Sequence, residues 1–154
     1  MAAPAIGKRI SDFAGETTAG RWRPKDAAGR RLVLYFYPRD NTSGCTREGE
    51  AFRDLADEFE KARTVIVGVS PDSVAAHLKF KQKYRFPFEL LSDPEQQVCK
   101  LFDVIKEKSM YGKKYLGVER STFLVDDKGV LRQEWRKVKV DGHAADVLAA
   151  ARAL

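Results

Sequence analysis

Residues 31–38, RLVLYFYP, form a continuous apolar run rich in strand-forming side chains and closed by a proline, which predicts a strand buried on both faces. Downstream, Phe52, Leu55, Ala56 and Phe59 recur at i, i+3, i+4 and i+7, the spacing of an amphipathic helix over 46–62. TVIVGVS, residues 64–70, reads as a second buried strand. It ends at PDS, where Asp72 or Ser73 can cap a helix running to Tyr84. FELLSD gives a third, shorter strand. In DPEQQVCKLFDV, Asp93 is placed as N-cap with Pro94 at the first helical position, where a missing N–H costs nothing, and Val98, Leu101 and Phe102 form the inward stripe. Residues 104–118 read as a long basic loop. RSTFLVDDKGVLRQEWRKV then supplies two strands around a DDKG turn, and HAADVLAAARAL an alanine-rich helix with Val147, Ala151 and Leu154 on one face.

Strand and helix alternate, then a hairpin and a closing helix follow, so the expected class is α/β: a mixed central sheet with helices on both faces. The chain has 154 residues, no repeats and no linker-like tract, and a single domain over 1–154 is expected. Its longest apolar run, Leu32 to Tyr37, is far shorter than the ~20 residues of a membrane span. The opening MAAPAIGKRI lacks a basic region followed by an apolar one, so no secretory signal is read and a cytoplasmic protein is expected. The net charge of +6 comes from basic residues mixed with acidic ones, as in REGEAFRDLADEFEKAR, which is the pattern of a solvated helix face. Neither nucleic acid nor a membrane is an expected partner.

Two cysteines, Cys45 and Cys99, are too few for a disulfide framework, and His77 and His143 show no spacing of a zinc site. No metal is expected. Cys45 lies in PRDNTSGCTREGE, where a strand gives way to a helix. A helix starting near Thr42 or Ser43 would put Cys45 in its first turn, where unpaired backbone N–H groups and the positive end of the macrodipole favour negative charge. The thiolate is the nucleophile of sulfur chemistry, so that placement suits a reactive cysteine. Gly44 would let another group approach the backbone closely, and Pro38 would make a rigid apolar wall at the mouth of the strand. The same stretch also fits a capped turn with a small helical residue at 45, and the local sequence alone leaves both readings open.

The wider pattern narrows the choice. YFYPRDNTSGCTREGEAFRD resembles the active-site segment of the peroxiredoxins, with Pro38, Thr42 and Cys45 on that family's spacing. LLSD, FDVIKEKSMYGKKYLGVERSTFLVD and RKVKVDGHAADVL are similar to the bacterioferritin comigratory protein, or peroxiredoxin Q, subfamily, from residue 31 to the C-terminus. The resemblance implies a thioredoxin-like fold, a thiol peroxidase acting on hydrogen peroxide and organic hydroperoxides, and a monomer needing no cofactor. It further implies Cys45 as the peroxidatic nucleophile, Thr42 offering its hydroxyl to the peroxide, and Pro38 shielding the sulfur. Arg120 in GVERSTF would be the active-site arginine and Glu48 the acid that orients it.

The chain departs from that pattern at the partner thiol. The two positions where the subfamily places a resolving cysteine are Glu50 and the helix carrying Lys81 and Lys83, which has none. Cys99 reads as a buried core residue, and a one-cysteine mechanism is expected, with reduction by an external thiol such as thioredoxin, glutaredoxin or glutathione. The alternatives are Cys99 as an unusual resolving residue, a thiol-disulfide oxidoreductase, and a non-catalytic thioredoxin-like binding module. The lack of any Cys-x-x-Cys pair weighs against the oxidoreductase.

Overall fold

The computed structural model describes residues 3–154. The predicted apolar runs become the centre of a seven-stranded sheet. β3 (Arg31–Phe36) pairs in parallel with β4 (Thr64–Ser70) from Arg31↔Thr64 to Phe36↔Val69, and antiparallel with β8 (Ser121–Val125), where Phe36 faces Ser121. A short hairpin of β1 (Gly15–Thr17) and β2 (Gly20–Trp22), which the sequence pattern did not predict, joins one edge through β5 (Glu89–Ser92). β9 (Leu131–Trp135) closes the other edge, giving the order β2-β1-β5-β4-β3-β8-β9.

Alternation along β3 divides the interior in two. Val33, Tyr35 and Tyr37 face one cluster with Phe52 and Phe59 from α1 (Ser43–Asp54) and α2 (Ala56–Lys61), Phe80 from α3 (Val74–Tyr84), and Val147 and Ala151 from α5 (His143–Arg152). Leu32, Leu34 and Phe36 face the other, with Val98 and Cys99 from α4 (Gln97–Leu101) and with Phe102, Phe123 and Leu131.

Three expectations need correction. The helix expected over 46–62 begins earlier and breaks at Leu55, whose N–H bonds Phe52 at i−3 instead of continuing the i−4 ladder. Helix α4 starts at Gln97, not after Asp93: the Asp93 carboxylate accepts from Val98 N (3.1 Å) and Cys99 N (2.8 Å), and residues 94–96 fold as a turn ending at Gln96 with φ +60°. Residues 104–118 are not a loop. They pair as a separate hairpin, β6 (Ile105–Met110) with β7 (Lys113–Val118), turning at Tyr111 and Gly112, both at positive φ. By contrast, Ser73 caps α3 as expected, accepting from Ala76 N at 3.1 Å.

Candidate active site

The chain leaves β3 through Tyr37, turns through residues 38–42 and enters α1 with Thr42 as its extended N-cap. The first helical hydrogen bond runs from Thr46 N to Thr42 O at 2.8 Å. The N–H groups of Ser43, Gly44 and Cys45 therefore precede the ladder and add their partial positive charge to the end of the helix where Cys45 sits. Thr42 does not cap with its side chain. Its hydroxyl donates to Arg39 O at 2.9 Å, which leaves the oxygen of this exposed residue able to accept.

Arg120 reaches this turn because of the register. It precedes β8, whose Ser121 pairs with Phe36, so its backbone lies beside Tyr37 at the same end of the sheet. Its guanidinium donates from Nη2 to Cys45 Sγ at 3.3 Å and from Nη1 to Glu48 Oε1 at 2.6 Å. The planar fork thus spans two groups one helical turn apart. Gly44 makes room for it: a Cβ there would lie 3.2 Å from Arg120 Nη2. The group that lies against Gly44 is the arginine of this same chain.

Burial is severe. Cys45 is 2% exposed and Glu48 1%. Glu48 Oε2 and Tyr35 Oη have no hydrogen-bond partner among the described residues. Burial pushes the Glu48 carboxyl up to about 7, a direction that Arg120 opposes but does not reverse, since only one of the two oxygens is paired. Burial works against the Arg120 charge too, yet Glu48 and Cys45 outweigh it and raise its pKa. Tyr35 is held well above the usual tyrosine range by burial and by the nearby Glu48 and Cys45.

Cys45, Thr42, Glu48 and Arg120 meet at one end of the sheet, and half-buried Pro38 opens the loop that leads to them. Cys99 is elsewhere. It is fully buried in the cluster on the opposite face of the sheet, and burial with Asp93 beside it drives its thiol far above the ordinary value. Sequence reasoning missed a group next to the site: His77 on α3, fully buried, contacts Asp40 of the 38–42 loop. The available signal was its place on the inward stripe His77, Phe80, Tyr84, where an imidazole needs polar partners.

Comparison with known proteins supplies the family. Residues 6–134 match the model of the AhpC/TSA family. The Peroxiredoxin Bcp of Bacillus subtilis is 53% identical over 148 residues, 93% of this chain and 92% of the relative. The solved Xanthomonas campestris bacterioferritin comigratory protein, studied for its alkyl peroxide reduction activity, is 51% identical with a TM-score of 0.87 over 92% of this chain and 90% of that one. A Xylella fastidiosa PrxQ mutant superposes with a TM-score of 0.93 at 40% identity, over 99% of this chain and 98% of that one.

Proposed function

The chain belongs to the AhpC/TSA family and is a peroxiredoxin with a thioredoxin-like α/β fold, and on that premise we propose that Cys45 is the sulfur that attacks the peroxide, in a one-cysteine cycle completed by an external thiol. The observation that carries the assignment is the Arg120 guanidinium, shared between Cys45 Sγ and Glu48 Oε1. A cation fixed against the sulfur favours negative charge there before attack and on the departing oxygen during it.

In the proposed step the thiolate sulfur attacks the terminal oxygen of R–O–OH. The S–O bond forms as the O–O bond breaks, the sulfur is oxidised to a sulfenic acid, and R–O⁻ leaves as the alcohol after taking a proton. Thr42 is suited to orient the peroxide. Its own proton is committed to Arg39 O, so its oxygen accepts from the terminal O–H and turns that oxygen toward the sulfur. The N–H groups that open α1 and the Arg120 fork lie on the side where charge develops, while Pro38 offers no donor to compete. Glu48 fixes the fork by its 2.6 Å bond.

An external thiol then attacks the sulfenic sulfur, releasing water and leaving a mixed disulfide at Cys45, and a second thiol returns Cys45 to the thiol state. The position of Cys99 supports this one-cysteine cycle. A disulfide needs Cα atoms within about 7 Å, whereas the two cysteines pack on opposite faces of the central sheet. Hydrogen peroxide and alkyl hydroperoxides are the proposed substrates, the latter in keeping with the activity of the Xanthomonas relative.

Intact-mass analysis after one equivalent of peroxide tests the proposal. A single added oxygen, trapped at Cys45 and lost in Cys45→Ser, is expected. A mass loss of two hydrogens with a Cys45–Cys99 crosslink would overturn the one-cysteine cycle, and oxidation that survives Cys45→Ser would overturn the assignment of Cys45.

A further inference from the structure

His77 has no access to solvent, and both of its ring nitrogens face oxygens: Nδ1 lies 2.6 Å from Asp40 Oδ2 and Nε2 lies 3.0 Å from Leu91 O. A carbonyl only accepts, so Nε2 carries a proton. The other carboxylate oxygen, Asp40 Oδ1, accepts from Tyr37 Oη at 2.6 Å. One further proton therefore lies between Asp40 Oδ2 and His77 Nδ1, since two bare lone pairs at that distance would repel. The backbone of Asp40 is tied as well: its N–H donates to Asp72 Oδ2 at 2.9 Å, and Ser70 Oγ donates to the same oxygen at 2.5 Å.

One loop residue is thereby bound to the ends of β3 and β4 and to α3, which is itself bonded to β5 through Leu91. The next residue, Asn41, sits at φ +62°, and its Oδ1 accepts from Tyr84 Oη at 3.1 Å, a second tie to α3. Asp40, Asp72 and His77 also have the composition of a small metal site, with ligand atoms within 4.8 Å of one another. The hydrogen bonds among them and their neighbours already account for that clustering.

We propose that Asp40 and His77 form a latch that holds the 38–42 loop, and with it Thr42 and the first turn of α1, in register with Arg120, which makes His77 a positioning residue for the reaction at Cys45. The proposal rests on Cys45 being the attacking sulfur. The backbone of Arg120 is held beside β8, and its Nη1 is tied to Glu48 one turn deeper in α1, so a drift of Asp40 moves Thr42 and the opening of α1, where Cys45 sits, relative to the cation. The latch has a second consequence. Cys45 is 2% exposed, so loosening the segment that the latch restrains widens the approach of an external thiol to its sulfur.

The test uses His77→Gln and Asp40→Ala, which break the latch, and Asp40→Asn, which keeps it. In Asp40→Asn the amide nitrogen donates to Nδ1 of a neutral imidazole and the amide oxygen still accepts from Tyr37. Single-turnover oxidation of Cys45 should slow by about 10- to 100-fold in the two breaking variants, the scale of a small misplacement of reacting groups. Attack of an external thiol on the sulfenic acid should be unchanged or faster, a split that simple loss of stability does not produce. Asp40→Asn should restore most of the oxidation rate, and the His77→Gln/Asp40→Ala double variant should be no slower than the slower single variant.

Hydrogen exchange over residues 38–46 should accelerate in the breaking variants without urea, under conditions where their urea curves show them folded. Wild-type oxidation in both, or slowed oxidation with unchanged exchange over 38–46, overturns the latch. The exchange measurement needs no turnover, so it decides the latch even if peroxide proves to oxidise another residue, a result that would instead sink the reading of Cys45.

Discussion

Cys45 and Cys99 lie on opposite faces of one sheet, the first packed with Tyr35, Tyr37 and Phe52 and the second with Phe36, Val98 and Phe102. Joining them would require one to cross the plane of β3 and β4, and that means unfolding the core rather than opening a loop. Cys99→Ser should therefore keep turnover with a small external thiol while losing about 1–3 kcal/mol of stability from burying a hydroxyl in a largely apolar cluster, the lower end applying if the hydroxyl donates to the neighbouring Asp93 carboxylate. Steady-state peroxide consumption and a urea curve measure the two effects. Loss of turnover in a folded Cys99→Ser protein would contradict the one-cysteine cycle.

The two glycines of α1 should separate chemistry from stability. A Cβ at Gly49 would sit 2.5 Å from Phe86 Cζ, a collision with a ring buried in the core, so Gly49→Ala should destabilise by about 1–3 kcal/mol. At Gly44 the Cβ would meet only the Arg120 Nη2 at 3.2 Å. Alanine is also a better helix former than glycine, so Gly44→Ala should fold as well as wild type yet oxidise more slowly, because the guanidinium must shift off the sulfur. Unchanged oxidation in Gly44→Ala would mean that the close approach of Arg120 is not needed.

Arg120 can be tested by shape as well as charge. Its two amino groups hold Cys45 Sγ and Glu48 Oε1 at once, which a single ammonium on a flexible stem does not reproduce. Arg120→Met is expected to slow Cys45 oxidation by about 10²-fold or more, the usual cost of losing a fixed donor to developing charge, and Arg120→Lys to recover little of it. Stopped-flow oxidation at fixed pH gives both rates. Full recovery by lysine would reduce the role of Arg120 to that of a diffuse positive charge.

What the sequence made legible was local. β3 and β4 announce themselves as apolar runs because both of their faces are buried, and Thr42 and Cys45 share one turn, so their relation needs no tertiary knowledge. Arg120 lies far along the chain and meets them only through the Phe36↔Ser121 register, which no periodicity reveals; family resemblance supplied it. The β6–β7 hairpin was hidden because its strands, IKEKSM and KKYLGV, have no apolar face to alternate and are held by pairing with each other. Helix α4 starts later than the Asp93-Pro94 signal predicts because Asp93 bonds the N–H groups of residues 98 and 99, beyond a tight turn. The Asp40–His77 contact joins a loop to a helix 37 residues away, and each residue taken alone is unremarkable in sequence.

The response to acid should reveal two buried groups working against each other. Burial raises Glu48 from 4.5 to about 7, so the folded protein holds that proton more tightly than the unfolded chain; the stability it contributes is full below pH 4.5 and is lost as pH rises through 7. Burial lowers His143 from 6.5 to about 4, in a setting where Nε2 lies 2.7 Å from Thr122 Oγ1 and Phe52 and Trp135 flank the ring. Its contribution has the opposite sign, being full above pH 6.5 and lost as pH falls through 4. Across the shared window from 4.5 to 6.5 the two slopes, each up to ~1.4 kcal/mol per pH unit, oppose one another. Urea midpoints of Glu48→Gln, taken relative to wild type, should fall as pH drops from 6.5 to 4.5, because the His143 penalty is no longer offset. His143→Gln keeps a partner for Thr122 and should do the reverse, gaining on wild type over the same interval. If both difference profiles were flat, neither proton would be coupled to folding, and the burial that drives both shifts would have to be relieved by solvent reaching Glu48 and His143.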